Sequence, residues 1–151
     1  MLKFTPIDES HAPFLRKYYS QCTYRLCEYS LGVKLMWRDH WHPEFAESHG
    51  CLVVLNHSAH YGAMFDFPIP LPEEGDVDAA LDEIDAWCVE KGVPPSYGVV
   101  PETERERLLK RYPYTTVDPV ACVVLPVDPG KPRAERGGEG LDDEGIYPLV
   151  P

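Results

Sequence analysis

The chain has 151 residues, which suits one domain that buries roughly two-thirds of its unfolded surface, and 44% of the residues are hydrophobic. Its formal net charge of −11 counts against direct binding of phosphate backbones or anionic lipid surfaces by this chain. No run of about 18 apolar residues predicts a membrane span, and the N-terminus lacks the apolar segment of a signal peptide. We therefore expect a cytoplasmic protein, and the 5 cysteines, without a Cys-x-x-Cys pair, fit reduced thiols.

The first predicted elements are two helices and a strand. Asp8 is a good N-cap residue, and Pro13 is tolerated in the first turn of the helix that should follow it. A second short helix is predicted over residues 24–31, with Gly32 as its C-terminal stop. Residues 33–37 would then form a strand.

The middle of the chain predicts a buried hairpin. Residues 50–55 form a continuous apolar run, which is typical of a strand buried on both faces. Residues 56–60 would turn the chain, and residues 61–67 would return as an antiparallel partner. The prolines that follow should end that strand, because proline cannot donate to a ladder.

The clearest predicted helix begins at the N-cap Asp76 and ends before Gly92, with apolar residues on one face and acidic residues on the other. Residues 96–100 should form a short strand, residues 102–111 a helix opened by Pro101, and residues 120–127 a further strand. The order predicts an α/β (α+β) fold, with a mixed sheet flanked by helices.

The composition changes near Asp118. Residues 119–151 contain 11 glycines and prolines in 33 positions, and residues 131–145 have no apolar periodicity. Such segments do not bury enough apolar surface to order themselves. We therefore predict a half-domain over residues 1–118 and a poorly ordered tail over residues 119–151.

The most informative segment is 25–45, which is rich in aromatic and basic side chains. Its run R-L-C-E-Y-S at 25–30, its Trp37 and its run W-H-P-E-F at 41–45 resemble the opening half of the phosphatidylglycerol lysyltransferase C-terminal domain family. The resemblance continues more loosely to Asp118. It implies an acetyltransferase-like sheet and a parent activity of aminoacyl transfer from aminoacyl-tRNA to a lipid headgroup or another amine.

That family has two acetyltransferase-like halves, and the resemblance implies that the chemistry lies in the second half, which nothing in this sequence matches. Residues 125–131 can be encoded by codons that, read in a frame shifted by one base, encode a segment of the kind found at this position in the family. A frame shift before this point is therefore one hypothesis for the tail. The expected partners are a missing second half-domain or a second copy of this chain, with tRNA and lipid implied only by the resemblance.

No residue of this chain is assigned a catalytic role, and no cofactor is expected. If a substrate binds this half, the basic and aromatic neighbourhood of Arg25, Trp37, Arg38 and His40 is our candidate for the binding residues. Two alternatives stay open: a non-catalytic homodimeric interaction module and a single-domain acetyltransferase that depends on acetyl-coenzyme A.

Two other patterns favour structural explanations. His40, His42, His49, Cys51, His57 and His60 have spacings that suit zinc or copper, but no acidic or Cys ligand is spaced to complete a tetrahedral set, so no metal site is predicted. Residues 135–140 approach the pyrophosphate loop of acetyltransferases but begin with an acidic residue and follow no strand. The thiols Cys27, Cys51 and Cys88 lie in apolar patterns and should be buried and inert.

Overall fold

The computed structural model describes residues 1–59 and 62–112, together with the backbone of residues 115–117 and 124–126. The helices of these residues are α1 (Ala12–Tyr19), α2 (Leu31–Met36), α3 (Arg38–Trp41), α4 (Val77–Lys91) and α5 (Arg105–Arg111). The strands are β1 (Thr5–Pro6), β2 (Glu44–Ser48), β3 (Cys51–Ser58), β4 (Gly62–Asp66), β5 (Ile69–Pro70), β6 (Tyr97–Val99), β7 (Thr115–Val117) and β8 (Val124–Pro126).

These strands form one mixed sheet in the order β1-β2-β3-β4-β6-β8-β7, and β5 pairs with β3 on the edge opposite β2. All neighbours are antiparallel except β4 and β6, which are parallel and are joined through α4. A parallel pair needs such a crossover connection, and a helix usually supplies it. The predicted α+β class, with a mixed sheet and flanking helices, is confirmed.

Helices cover both faces of this sheet. Successive residues of a strand point to opposite faces, and the last two residues of β4 show which helix lies on each. Phe65 packs edge-to-face against Trp87 of α4, with ring centroids 5.6 Å apart. Asp66 points the other way and contacts Lys34 of α2. The core between these layers is continuous. Among the described residues, no helix is both long enough and apolar enough to span a bilayer.

The predicted hairpin is present, with shorter turns than expected. The apolar run at 50–55 lies in β3, and β4 is its antiparallel partner. Residues 56–58, predicted as a turn, instead continue β3, because Asn56 pairs with Met64 across the ladder. Pro43 leads directly into β2. His49 and Gly50 both have positive φ between β2 and β3, the geometry of a tight two-residue hairpin turn.

The predictions for residues 24–37 were wrong. The stretch 24–30 is irregular, and the predicted strand 33–37 is helical instead, mostly within α2. A five-residue apolar run fits a strand or a helix equally well by periodicity, so packing decides. Here Leu31 and Leu35, one helical turn apart, both pack against the core.

The remaining helices agree with the sequence. Asp8 caps the turn that leads into α1, and its carboxylate accepts from the backbone N–H of Ser10 at 2.8 Å. Asp76 caps α4, and Gly92 ends it with φ of 67°. Part of the predicted strand 120–127 is present as β8. The prediction of a poorly ordered tail concerns residues that, apart from this strand, lie outside the described ones.

Candidate functional site

A buried ion pair lies at the carboxyl end of β4. Lys34 and Asp66 are 7% and 3% exposed, and Lys34 Nζ is 2.5 Å from Asp66 Oδ2. Asn56 completes this group, which we call the Lys34 cluster: its Nδ2 donates to Asp66 Oδ1 at 2.8 Å, and its Oδ1 accepts from Lys34 Nζ at 3.4 Å. Buried charges are costly unless they are paired and hydrogen-bonded, and both conditions are met here.

A tyrosine hydroxyl joins the ends of the two parallel strands beside this cluster. Tyr29 donates to the carbonyl oxygen of Val99 at 2.6 Å and accepts from the backbone N–H of Phe67 at 3.1 Å. Burial raises the pKa of Tyr29 well above its usual range, and the Asp66 carboxylate adds to the effect. In open α/β sheets, ligands bind in the crevice outside the carboxyl ends of parallel strands. In this chain the Tyr29 hydroxyl holds those strand ends together.

A second tyrosine lies near the same carboxylate. The Tyr19 hydroxyl is buried and has no hydrogen-bond partner among the described residues. Burial, and secondarily the Asp66 charge, raise the pKa of Tyr19 well above its usual range. Asp66 Oδ2 makes no aligned hydrogen bond although Lys34 Nζ is close to it, so its contact with Lys34 is mainly ionic. The arrangement keeps charges out of water and offers no solvent-exposed nucleophile.

A separate cleft, which we call the α3 cleft, lies where α3 meets β1, β2 and β3. Its volume is 390 Å³. The lining residues are Pro6, Ile7, Arg38, Asp39, His42, Pro43, Glu44 and His57. This composition combines both signs of charge with an apolar wall.

The ionisable side chains of the α3 cleft lie close to one another in pairs. Nε2 of His57 lies 2.7 Å from Oε2 of Glu44 on the neighbouring strand. Arg38 contacts the Glu9 carboxylate through Nη1, and its Nε lies 3.7 Å from Asp39 Oδ1. Because strands supply His57 and Glu44 while Arg38 begins α3, regular elements position all three side chains.

The structure brings together only part of the predicted binding neighbourhood. Arg38 lines the α3 cleft. Trp37 and His40 contact each other edge-to-face at 6.1 Å, and both are exposed beside the cleft. Arg25 is exposed in the irregular segment before α2, and among the described residues no hydrogen bond, ion pair or ring contact joins it to these three side chains. A binding role for the four residues stays a prediction.

Of the histidine and cysteine pattern, His60 lies outside the described residues. His42 and His57 both line the α3 cleft, but no three His, Cys, Asp or Glu residues among the described ones are grouped as metal ligands. Burial raises the pKa of Cys51 to about 11 and that of Cys88 to about 12, as expected of inert thiols. Cys27 is exposed, so its predicted burial was wrong, because segment 24–30 is not helical. The loop-like run 135–140 lies outside the described residues.

Sequence reasoning missed the Lys34 cluster. Lys34 and Asp66 each stand alone in an apolar run, L-G-V-K-L-M and A-M-F-D-F. A single charge inside an otherwise buried run signals a paired buried charge, since Lys and Asp are almost never fully buried without a partner. That signal was available, but it does not say which lysine pairs with which carboxylate.

No family model and no curated protein matches the chain. Among solved structures it is similar to a conserved protein of unknown function from Bacteroides thetaiotaomicron VPI-5482, with 19% identity and a TM-score of 0.65. The match covers 76% of this chain and 38% of that one, so this chain spans well under half of that protein's length. A likeness at this identity supports the fold and says nothing of activity.

Proposed function

We propose that this domain is the first, non-catalytic half of a tandem acyltransferase-like protein. The parent activity, implied by the resemblance of segment 25–45, is aminoacyl transfer from aminoacyl-tRNA to a lipid headgroup or another amine. In this proposal the half supports a catalytic partner half and does not itself position an activated ester beside an acceptor.

The observation that carries the proposal is the closed end of the parallel strand pair. Tyr29 bonds to backbone groups of both strand ends, and the Lys34 cluster fills the space beside it. A ligand entering between the strand ends would have to displace a buried hydroxyl from two hydrogen bonds. A half-domain that only supports another half has no need for an open crevice.

Two further facts favour a supporting role. The net charge of −11 makes this chain a poor surface for tRNA or anionic lipid, so another part of the protein would have to bind them. A solved structure with a similar fold is a longer chain, of which this one covers 38%. Both facts fit a domain that acts beside a second one.

The test has a genetic arm and a biochemical arm. Resequencing the gene through codons 110–125 and beyond should reveal a longer frame after a one-base correction, and the product of that frame should transfer aminoacyl groups to phosphatidylglycerol vesicles or amines. The 151-residue chain assayed alone should transfer nothing and should give no heat with coenzyme A. Transfer by the chain alone would refute the non-catalytic role, and an inactive longer product would refute the parent activity.

A second candidate, a homodimeric interaction module, is favoured by one exposed apolar pair. Met36, the last residue of α2, is 69% exposed, and Trp37, between α2 and α3, is 50% exposed. Large contiguous apolar patches mark interaction surfaces, and in this candidate function the pair is part of such a patch. Sedimentation at micromolar concentration should then detect a dimer that Trp37→Ser dissociates, whereas a monomer at all concentrations would rule this candidate out.

A further inference from the structure

We propose that the α3 cleft binds a small zwitterion of the α-amino acid class, one molecule that carries both an ammonium and a carboxylate. This goes beyond the proposed function, because a half-domain that only supports a partner needs no small ligand. The proposal concerns the chain as it stands and requires neither tRNA nor a second half.

Arg38 is the group in the cleft that matches a carboxylate. A guanidinium presents five donors in a planar fork that fits carboxylate oxygens in pairs. Its present partners are weakly held, since Glu9 and Asp39 side chains are 70% and 98% exposed. A ligand carboxylate could therefore replace one of them with little loss, because exposed ion pairs contribute little.

Glu44 and Asp39 are the groups that match an ammonium. The Glu44 side chain is 28% exposed, lies on β2 and contacts His57, so it is fixed in the wall of the cleft. Asp39 follows Arg38 on α3, and its side chain is exposed at the edge of the cleft. Each offers acceptor oxygens only, as an ammonium with three donors requires.

The mixture of charges selects against ligands with one charge. A simple anion would meet the carboxylates of Asp39 and Glu44, and a simple cation would meet the guanidinium of Arg38. Repulsion of the wrong partner is one of the ways in which sites become specific. A zwitterion satisfies both signs at once.

The uncharged wall and the size of the cleft suit a small molecule. Pro6, Ile7 and Pro43 form an apolar side, and the backbone N–H of Ile7 donates to the Pro43 carbonyl at 2.8 Å, which ties the wall together. The volume of 390 Å³ lies near the lower end of the usual range for small-molecule sites. The ligand expected here is a free amino acid with an apolar or uncharged side chain.

The experiment titrates three probes into isotope-labelled protein and follows backbone amide shifts. L-leucine carries both charges, leucinamide only the ammonium, and N-acetyl-leucine only the carboxylate. L-leucine should bind more tightly than either single-charge probe and should shift amides around Arg38, Glu44 and His57. Equal affinity for all three probes, or no shifts in these residues at millimolar probe, would overturn the proposal.

Variants separate the two charge contacts. Arg38→Gln should weaken L-leucine by about tenfold or more, since a charged hydrogen bond to the carboxylate is lost. It should not weaken leucinamide, because the repulsion between the guanidinium and this cation is removed. Glu44→Gln should weaken L-leucine and leucinamide, which carry the ammonium, but should not weaken N-acetyl-leucine. Asp39→Asn is a second variant of the ammonium contact, and the Asp39 side chain is too exposed for this change to affect folding. Arg107→Gln, on the distant α5, is the control and should change nothing.

Each failure has its own meaning. Loss of L-leucine binding in Arg107→Gln would indicate a nonspecific charge effect and would count against the site. Unchanged L-leucine binding in both Arg38→Gln and Glu44→Gln would do the same. The transfer assays of the proposed function do not enter this test, so either proposal fails without the other.

Discussion

Replacing Lys34 with methionine should lower the free energy of unfolding by about 3–5 kcal/mol. Methionine fills nearly the same volume as lysine but removes the ammonium group, which lies 2.5 Å from Asp66 Oδ2. The carboxylate, with its side chain 4% exposed, then keeps only the 2.8 Å hydrogen bond from Asn56. That loss is a large fraction of the roughly 5–15 kcal/mol by which domains are usually stable.

Urea denaturation, monitored by tryptophan fluorescence, measures the effect. An unchanged slope of the transition relative to wild type checks that unfolding stays two-state. Asp66→Asn tests the same pair from the other side, and the double variant Lys34→Met/Asp66→Asn completes a cycle. The double variant should recover more than half of the single loss, because neither unpaired charge remains buried.

Lys91→Met is the matched control, since it makes the same chemical change in an exposed pair with Glu90. Its expected loss is below about 1 kcal/mol, which covers both a surface ion pair and the last turn of a helix. A loss of similar size for Lys34→Met would refute the reasoning, because it would mean that water reaches the Lys34 ammonium. A double variant as unstable as the worse single variant would also contradict it.

Three further predictions concern other parts of the fold. Tyr29→Phe should lower the unfolding free energy by about 1–3 kcal/mol, because two buried backbone groups lose their partner, and an unchanged urea midpoint would contradict the bridge between the strand ends. Gly50→Ala should lower the unfolding free energy by at least about 2 kcal/mol, since the added Cβ would lie 2.4 Å from a backbone oxygen. Gly92→Ala has a similar φ but open space around the Cβ, so its loss should be smaller, and equal losses for the two variants would contradict the close contact at Gly50. Glu83 has a lowered pKa, caused first by the hydrogen bond from the N-terminal ammonium, so its contribution is present above the ordinary value of 4.5 and is lost as pH falls through the lowered value. The stability difference between wild type and Glu83→Gln should therefore close in acid, and a constant difference in urea melts across pH would contradict it.

The sequence was most predictive where local signals agreed with packing. Helix α4 has a capping aspartate, an apolar face and Gly92 at its end, and each of these acts within a few residues. The apolar run in β3 is long enough that only a central strand accommodates it. In both cases no information from distant residues was needed.

Segment 24–37 could not be predicted in this way. The backbone of Tyr29 adopts no regular structure, and its hydroxyl is fixed by strand ends 38 and 70 residues away in the chain. Lys34 faces inward because its ammonium pairs with the Asp66 carboxylate, which is distant in the sequence. The apolar neighbours of Lys34 in the sequence would by themselves predict an apolar side chain at a buried position. Likewise the α3 cleft joins residues from four elements, and among its lining residues the sequence singled out only Arg38 as a binding residue.

The two polar features of this fold are connected through one short segment. Lys34 lies on α2 and Arg38 begins α3 four positions later, with Trp37 between the two helices. The ion pair with Asp66 therefore fixes α2 to the sheet, and through it the position from which α3 presents Arg38 to the cleft. A buried ion pair adds little net stability compared with an apolar pair of the same shape, so its retention is better explained by the geometry it imposes. In this chain that geometry is the seating of the helices that carry the cleft, which gives the Lys34 cluster a positioning role.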